Sequence, residues 1–158
     1  MAISIGDSLP SVPLHEGTPK TSVDPAAEFA TGKVVIFGVP GAFTPGCDKT
    51  HLPGYVADYE KFVARGVTQI ACVSVNDAHV MRHWGESHHA GGKVRMLADP
   101  GAAFTRAIGM EVESAALGGT RSKRDAMVVE NGKVTHLEVE PDSFGLSCSL
   151  AGPLLERV

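Results

Sequence analysis

The stretch Gly38 to Tyr55 (GVPGAFTPGCDKTHLPGY) holds residues whose types and spacing suit redox chemistry, with Cys47 as the nucleophile. Pro40, Gly41, Pro45 and Gly46 constrain the loop ahead of it, and a helical pattern opens close to Cys47. A thiol in the first turn of a helix lies near unpaired backbone N–H groups and the positive end of the dipole. Both favour thiolate over thiol. A thiolate attacks the O–O bond of a peroxide, but it needs help. The peroxide must be held in line, and charge growing on the departing oxygen must be stabilised. Thr44, three residues before Cys47, can place a hydroxyl beside the sulfur, and loop N–H groups can serve the oxygens. Pro40 would shield the thiolate and fix the loop. An arginine from a distant strand is the best type for the missing cation, because it stays charged and offers several donors in one plane.

These residues need elements to position them. Val34-Val35-Ile36-Phe37 is a short, wholly apolar run, as expected for a strand buried on both faces, so the loop follows a strand's C-terminal end. Val67 to Val75 is a second such run and Val94 to Leu97 a weaker third. Lys49 to Ala64 spaces Leu52, Tyr55, Val56, Tyr59 and Phe62 as a helix does, and Pro53 predicts a kink or a late start. Asp77 is expected to cap a helix reaching about His88, and Asp24-Pro25 to open a shorter one. Asn131-Gly132, between Asp125–Glu130 and Lys133–Val139, signals a hairpin. A last helix is expected from roughly Leu150 to Arg157. The order predicts an α/β protein: a single domain with a mixed central sheet flanked by helices.

The totals narrow the function. With 43% hydrophobic and 20% charged residues, the 158-residue chain has the composition of an ordinary globular domain. A net charge of −4 without a Lys/Arg block argues against nucleic acid or an anionic membrane as partner. No apolar run approaches the ~20 residues of a membrane span. Met1 to Pro10 has neither the basic start nor the long apolar stretch of a secretory signal. Cys47, Cys72 and Cys148 are too few for a disulfide framework and form no C-x-x-C pair. A reducing compartment, the cytoplasm by default, is the expectation, with mitochondria, plastids and peroxisomes left open.

Pro40-x-x-x-Thr44-x-x-Cys47 resembles the signature of the peroxiredoxins, and the longer string resembles their type II, or atypical two-cysteine, group. Ser74 to Gly85 (SVNDAHVMRHWG), Lys93 to Pro100 (KVRMLADP) and Gly145 to Gly152 (GLSCSLAG) resemble it too, so the likeness covers nearly the whole chain. It implies a thioredoxin-like fold, a homodimer and no metal or organic cofactor. Cys47 matches the peroxidatic cysteine, Thr44 and Pro40 its companions, and Arg124 the peroxide-binding arginine. Without that match Arg124 would be a surface charge, with Arg121 a nearby substitute. Cys148 matches the resolving cysteine of animal-like members, and a thioredoxin or glutaredoxin system is the implied reductant. Cys72, used by plant-like members, lies mid-strand, where a cysteine is usually an inert small hydrophobe; resolution by an external thiol is the third option.

The chain departs from the group in two places. Asp125 stands where an aromatic residue usually follows the arginine; alternation along a strand should turn it away from Arg124. Ala115 to Gly119 is smaller than the segment that helps line the site mouth in the group. His79 and His83 have metal-compatible spacing, though an exposed helix face explains them better. His51 is expected on the helix surface or in a local hydrogen bond rather than as a base, and Trp84 in core or interface. A cysteine hydrolase would need a distant His with an orienting partner, which no segment supplies. A non-enzymatic redox sensor would share the first oxidation step and lack only turnover.

Overall fold

The computed structural model describes residues 2–158; Met1, where the N-terminal segment begins, lies outside them. The apolar run becomes the strand Lys33–Val39 (β3), buried on both faces from Val34 onward. It pairs in parallel with Val67–Ser74 (β4), which pairs in parallel with Arg95–Ala98 (β5). On its other side β3 runs antiparallel to Asp125–Glu130 (β8), which forms the expected hairpin with Lys133–Val139 (β9). Asn131 and Gly132 both take positive φ, 51° and 83°, as a two-residue type I′ turn requires.

A hairpin not expected from the sequence, Leu14–Glu16 (β1) and Thr18–Val23 (β2), extends the far edge through antiparallel pairing of β1 with β5. The seven strands run in the order β2-β1-β5-β4-β3-β8-β9, and Glu111–Ser114 (β6) and Gly119–Ser122 (β7) form a separate ribbon. A mixed sheet with helices on both faces is the thioredoxin-like arrangement expected.

Alternation along β3 divides the core in two. Val35, Phe37 and Val39 face a layer containing Cys47, Leu52, Tyr55, Phe62, Cys72, Trp84 and Leu154. Val34 and Ile36 face the opposite layer, with Phe29, Leu97, Phe104, Ile108 and Met127. Both predicted caps form. Asp24 accepts from Ala26 N–H ahead of Pro25–Glu28 (α1), and Asp77 from Val80 N–H ahead of Ala78–Ser87 (α4).

The Lys49–Ala64 segment is not one helix. A π-helical turn over Cys47–His51 leads into Leu52–Ala57 (α2), and a break at Asp58 precedes Tyr59–Ala64 (α3). Pro53 sits in the first turn of α2, where its missing N–H costs least. The wide turn before it carries Cys47 and His51 inward, and both side chains are buried. Ala103–Ala107 (α5) covers the second face, and Ala151–Leu155 (α6) is the shortened form of the predicted last helix.

Candidate active site

The loop from β3 to the π turn delivers Cys47 to a fully buried position. Pro40 is buried at the end of β3, and Phe43 adopts a left-handed φ of 64° that turns the chain towards Thr44. Strain of this kind is typical of functional loops. Thr44 Oγ1 lies 3.0 Å from Cys47 Sγ and 2.7 Å from Gly41 O. A hydroxyl has one proton, so it serves either the carbonyl or the sulfur. It donates to Gly41 when Sγ carries hydrogen and can turn to Sγ when the sulfur is anionic. Gly46 leaves room for two neighbours: a Cβ there would sit 3.0 Å from Arg124 Nη2 and 3.3 Å from Leu146, and both side chains would have to give way.

Arg124 meets Cys47 from the start of β8. Its Nη1 is 3.3 Å from Cys47 Sγ and 3.0 Å from His51 Nδ1, and its Nε donates to Phe144 O at 3.4 Å. The guanidinium is buried, and its backbone N–H donates to Ser143 O at 2.6 Å. Arg121 plays another part: it donates to the carbonyls of Leu117 and Val75, bracing the ribbon rather than the sulfur. Of the two arginines, the structure places Arg124 on the thiol.

His51 corrects the surface alternative. It is fully buried, one turn after Cys47, with Nε2 3.1 Å from Ser149 O. A carbonyl can only accept, so Nε2 carries the proton and Nδ1 accepts from Arg124. Burial, reinforced by the Arg124 charge, pushes its pKa down to about 3. It is therefore neutral, its lone pair is occupied, and it orients Arg124 instead of acting as a base. Tyr55 donates to the same Ser149 carbonyl at 2.7 Å and stacks on Phe37 with ring centroids 4.1 Å apart. The wider setting of Cys47 includes Asp48, which accepts from Trp84 Nε1 at 2.8 Å and lies 2.7 Å from His88 Nε2. These contacts hold the π turn against α4, and Trp84 is core, as expected.

All three cysteines are free. Cys72 is buried in β4, and burial raises its thiol well above the ordinary range. Cys148 is half-buried in the turn before α6, with Sγ 3.6 Å from Val139 O. Burial, together with the nearby negative charges of Glu140 and Glu138, pushes its thiol up to about 11. His79 and His83 are exposed on α4, and no group of three or more His, Cys, Asp or Glu side chains among the described residues could hold a metal ion. Asp125 turns away from Arg124, as alternation predicts, and is buried beside Gly38 and Ser122 on the sheet's other face.

The Redoxin family model matches residues 4–147. Peroxiredoxin-2C of Oryza sativa is 41% identical over 142 residues, covering 87% of this chain and 88% of its own. The chain belongs to the peroxiredoxins. Peroxiredoxin sll1621 of Synechocystis is 49% identical over 121 residues, which cover 76% of this chain and 63% of that relative. Among solved structures, reduced Prx3 of Vibrio vulnificus in complex with H2O2 superposes with a TM-score of 0.93 at 44% identity, covering 98% of this chain and 95% of that one. The peroxiredoxin is accordingly a thiol peroxidase. No helix among its described residues is long and apolar enough to cross a membrane.

Proposed function

We propose that this peroxiredoxin reduces hydrogen peroxide and organic hydroperoxides through a Cys47 sulfenic acid, which Cys148 resolves as an intramolecular disulfide. The carrying observation is that a buried Cys47 Sγ has both Thr44 Oγ1, at 3.0 Å, and Arg124 Nη1, at 3.3 Å, directed at it. Two donors converging on one sulfur also define where peroxide oxygens would sit. The thiolate attacks the nearer oxygen, an S–O bond forms and the O–O bond breaks. The sulfur loses two electrons and the peroxide gains them. The alkoxide or hydroxide that departs takes a proton to leave as alcohol or water. Arg124 holds the growing charge in a buried setting, where such contacts are strongest. Thr44 keeps the oxygens in line, and Pro40 excludes water from the thiolate.

The Cys148 thiol then attacks the sulfenic sulfur. An S–S bond forms, the S–O bond breaks, and hydroxide leaves as water with the thiol's proton. Thioredoxin or another dithiol donor reduces the disulfide. Cys72 is disfavoured by its position in the sheet interior. Glutaredoxin with glutathione is the second reading, favoured by one observation: the Cys148 thiol, at about 11 in the closed structure, is a weak nucleophile where it stands. The related expectation of a homodimer is supported by Phe43, 52% exposed beside the site, as a side chain that a partner would cover. Light scattering on the reduced protein tests the assembly. Peroxide-dependent turnover with a thioredoxin system, for the parent protein, Cys47→Ser and Cys148→Ser, tests the function. Turnover that is lost in Cys47→Ser supports the assignment. A Cys148→Ser variant that still closes an intramolecular disulfide removes Cys148 from its role.

A further inference from the structure

One carboxylate holds both neighbours of Cys148. Glu140, 2% exposed just after β9, accepts from the backbone N–H of Ser147 at 3.0 Å and of Ser149 at 2.9 Å. It also accepts both serine hydroxyls, Ser147 at 2.5 Å and Ser149 at 2.6 Å. A carboxylate has about four acceptor sites, and here two residues flanking a cysteine occupy them. These contacts hold its carboxyl at about 2 despite burial. Among the described residues no Lys, Arg or His forms an ion pair with it, so the charge is spent on this segment.

The rest of the turn is built around the same group. Asp142 accepts from the N–H groups of Phe144 and Gly145, tightening the approach. A Cβ on Gly145 would lie 2.7 Å from Asp142 Oδ1 and 3.2 Å from Glu140 Oε1, so glycine lets the turn close over both carboxylates. On the far side, Tyr55 and His51 grip the carbonyl of Ser149. Cys148 is thereby fixed between two anchors, with its thiol bonded to Val139 O rather than to any atom of Cys47. The same segment supplies Phe144 O and Ser143 O to Arg124. Closed, it completes the peroxide site; it must open to deliver Cys148.

We infer that Glu140 is a positioning residue that latches the Ser147–Ser149 segment shut during peroxide reduction, and that release of this latch sets how fast Cys148 captures the Cys47 sulfenic acid. This rests on the reading of Cys148 as the resolving thiol. Its consequence is a competition: while the latch is shut, a second peroxide can carry the sulfenic acid on to sulfinic acid. A tight latch favours overoxidation, and a loose one favours the disulfide.

The test uses the full chain as Glu140→Ala, Glu140→Gln, the double variant Ser147→Ala/Ser149→Ala, and Cys148→Ser. Hydrogen bonds to a charged group are stronger than those between neutral groups. Loss of the carboxylate should therefore speed amide exchange of Ser147 and Ser149 in the reduced protein by at least about tenfold. After one equivalent of peroxide, quenching and mass spectrometry should show disulfide formation several-fold faster in Glu140→Ala and less sulfinic acid at excess peroxide, with Cys47 oxidation no faster. Glu140→Gln, which keeps one acceptor oxygen but not the charge, should fall between Glu140→Ala and the parent. The double serine variant should shift the same way by less, and it decides the matter if Glu140→Ala does not fold. Unchanged amide protection, or a disulfide that forms at the parental rate or slower, overturns the latch. If Cys148→Ser still closes a disulfide, the resolving assignment falls and the latch with it. If Cys148→Ser abolishes the disulfide while Glu140→Ala leaves its rate unchanged, only the latch fails.

Discussion

Asp125 should carry a stability cost that grows as the solution turns from mildly acid to neutral. Its carboxyl is 1% exposed and has one oxygen with no hydrogen-bond partner among the described residues. Burial pushes its pKa up to about 7, opposed only by a hydrogen bond from the Gly38 amide. The folded state therefore binds the proton more tightly than the unfolded chain, whose carboxyl titrates near 3.9. A raised carboxyl pKa means stability that is full below the unfolded value and lost as pH climbs through the folded one. Each unit is worth about 1.4 kcal/mol, and about two of the three units lie above pH 5. His51 runs the other way: its lowered pKa costs stability as pH falls from about 6.5 towards 3. The two slopes overlap and largely cancel between about pH 4 and 6.5, so the parent's own profile conceals both. Asp125→Asn keeps the shape and removes one of them. Its advantage over the parent should grow by about 2–3 kcal/mol between pH 5 and pH 8. Urea unfolding of both proteins at the two pH values, under reducing conditions, reads this directly. An advantage that does not change with pH would refute the reasoning.

Other outcomes follow from the contacts of Cys47. Thr44→Val removes the hydroxyl at 3.0 Å from the sulfur and should lower the second-order rate with hydrogen peroxide about 10²-fold, read by stopped-flow Trp84 fluorescence. Arg124→Lys keeps the charge but cannot reach Cys47, His51 and Phe144 together, so a loss of about 10²–10³ is expected in the same assay. His51→Ala should cost about tenfold by freeing Arg124 to move, with the pH profile of the rate otherwise unchanged, since the neutral ring transfers no proton. Cys72→Ala should leave disulfide formation intact on a non-reducing gel, because that thiol is sealed within β4.

Much of the site was legible because its signals are local. Pro40, Thr44 and Cys47 lie within eight residues, and the Gly/Pro loop between them follows a strand marked by an unbroken apolar run. Asp24, Asp77 and Asn131-Gly132 act within a few residues of themselves, and each forms the cap or turn its chemistry predicts. Arg124 was legible only through resemblance, since Arg121 is equally basic and three residues away. The roles of His51 and Glu140 were not legible. His51 is buried by partners 73 and 98 positions distant, Arg124 and Ser149. Glu140 acts on serines that look like ordinary turn residues until the chain folds back. The β1–β2 hairpin was missed for another reason: Thr18 to Ser22 is mostly exposed, so no alternation of apolar residues marks it.

The pair Arg124-Asp125 shows why a single departure from a family's pattern can spare the chemistry and still change the protein. At the start of β8 successive side chains point to opposite faces. Arg124 enters the layer that holds Cys47, whereas Asp125 enters the layer that holds Met127 and Phe104. Between them lies β3, where Gly38 stands opposite Asp125 in the ladder; a Cβ there would come within 2.7 Å of the carboxylate. The acid occupies space that a glycine leaves free, without an ion-pairing cation among the described residues to offset its charge. Its cost falls on the stability of the paired interior strands β3 and β8, the first of which carries the active-site loop, not on the sulfur's own partners. Asp125→Asn should therefore leave the peroxide rate within about twofold of the parent at pH 7 while raising stability, and a rate change of tenfold or more would show that the two faces are coupled.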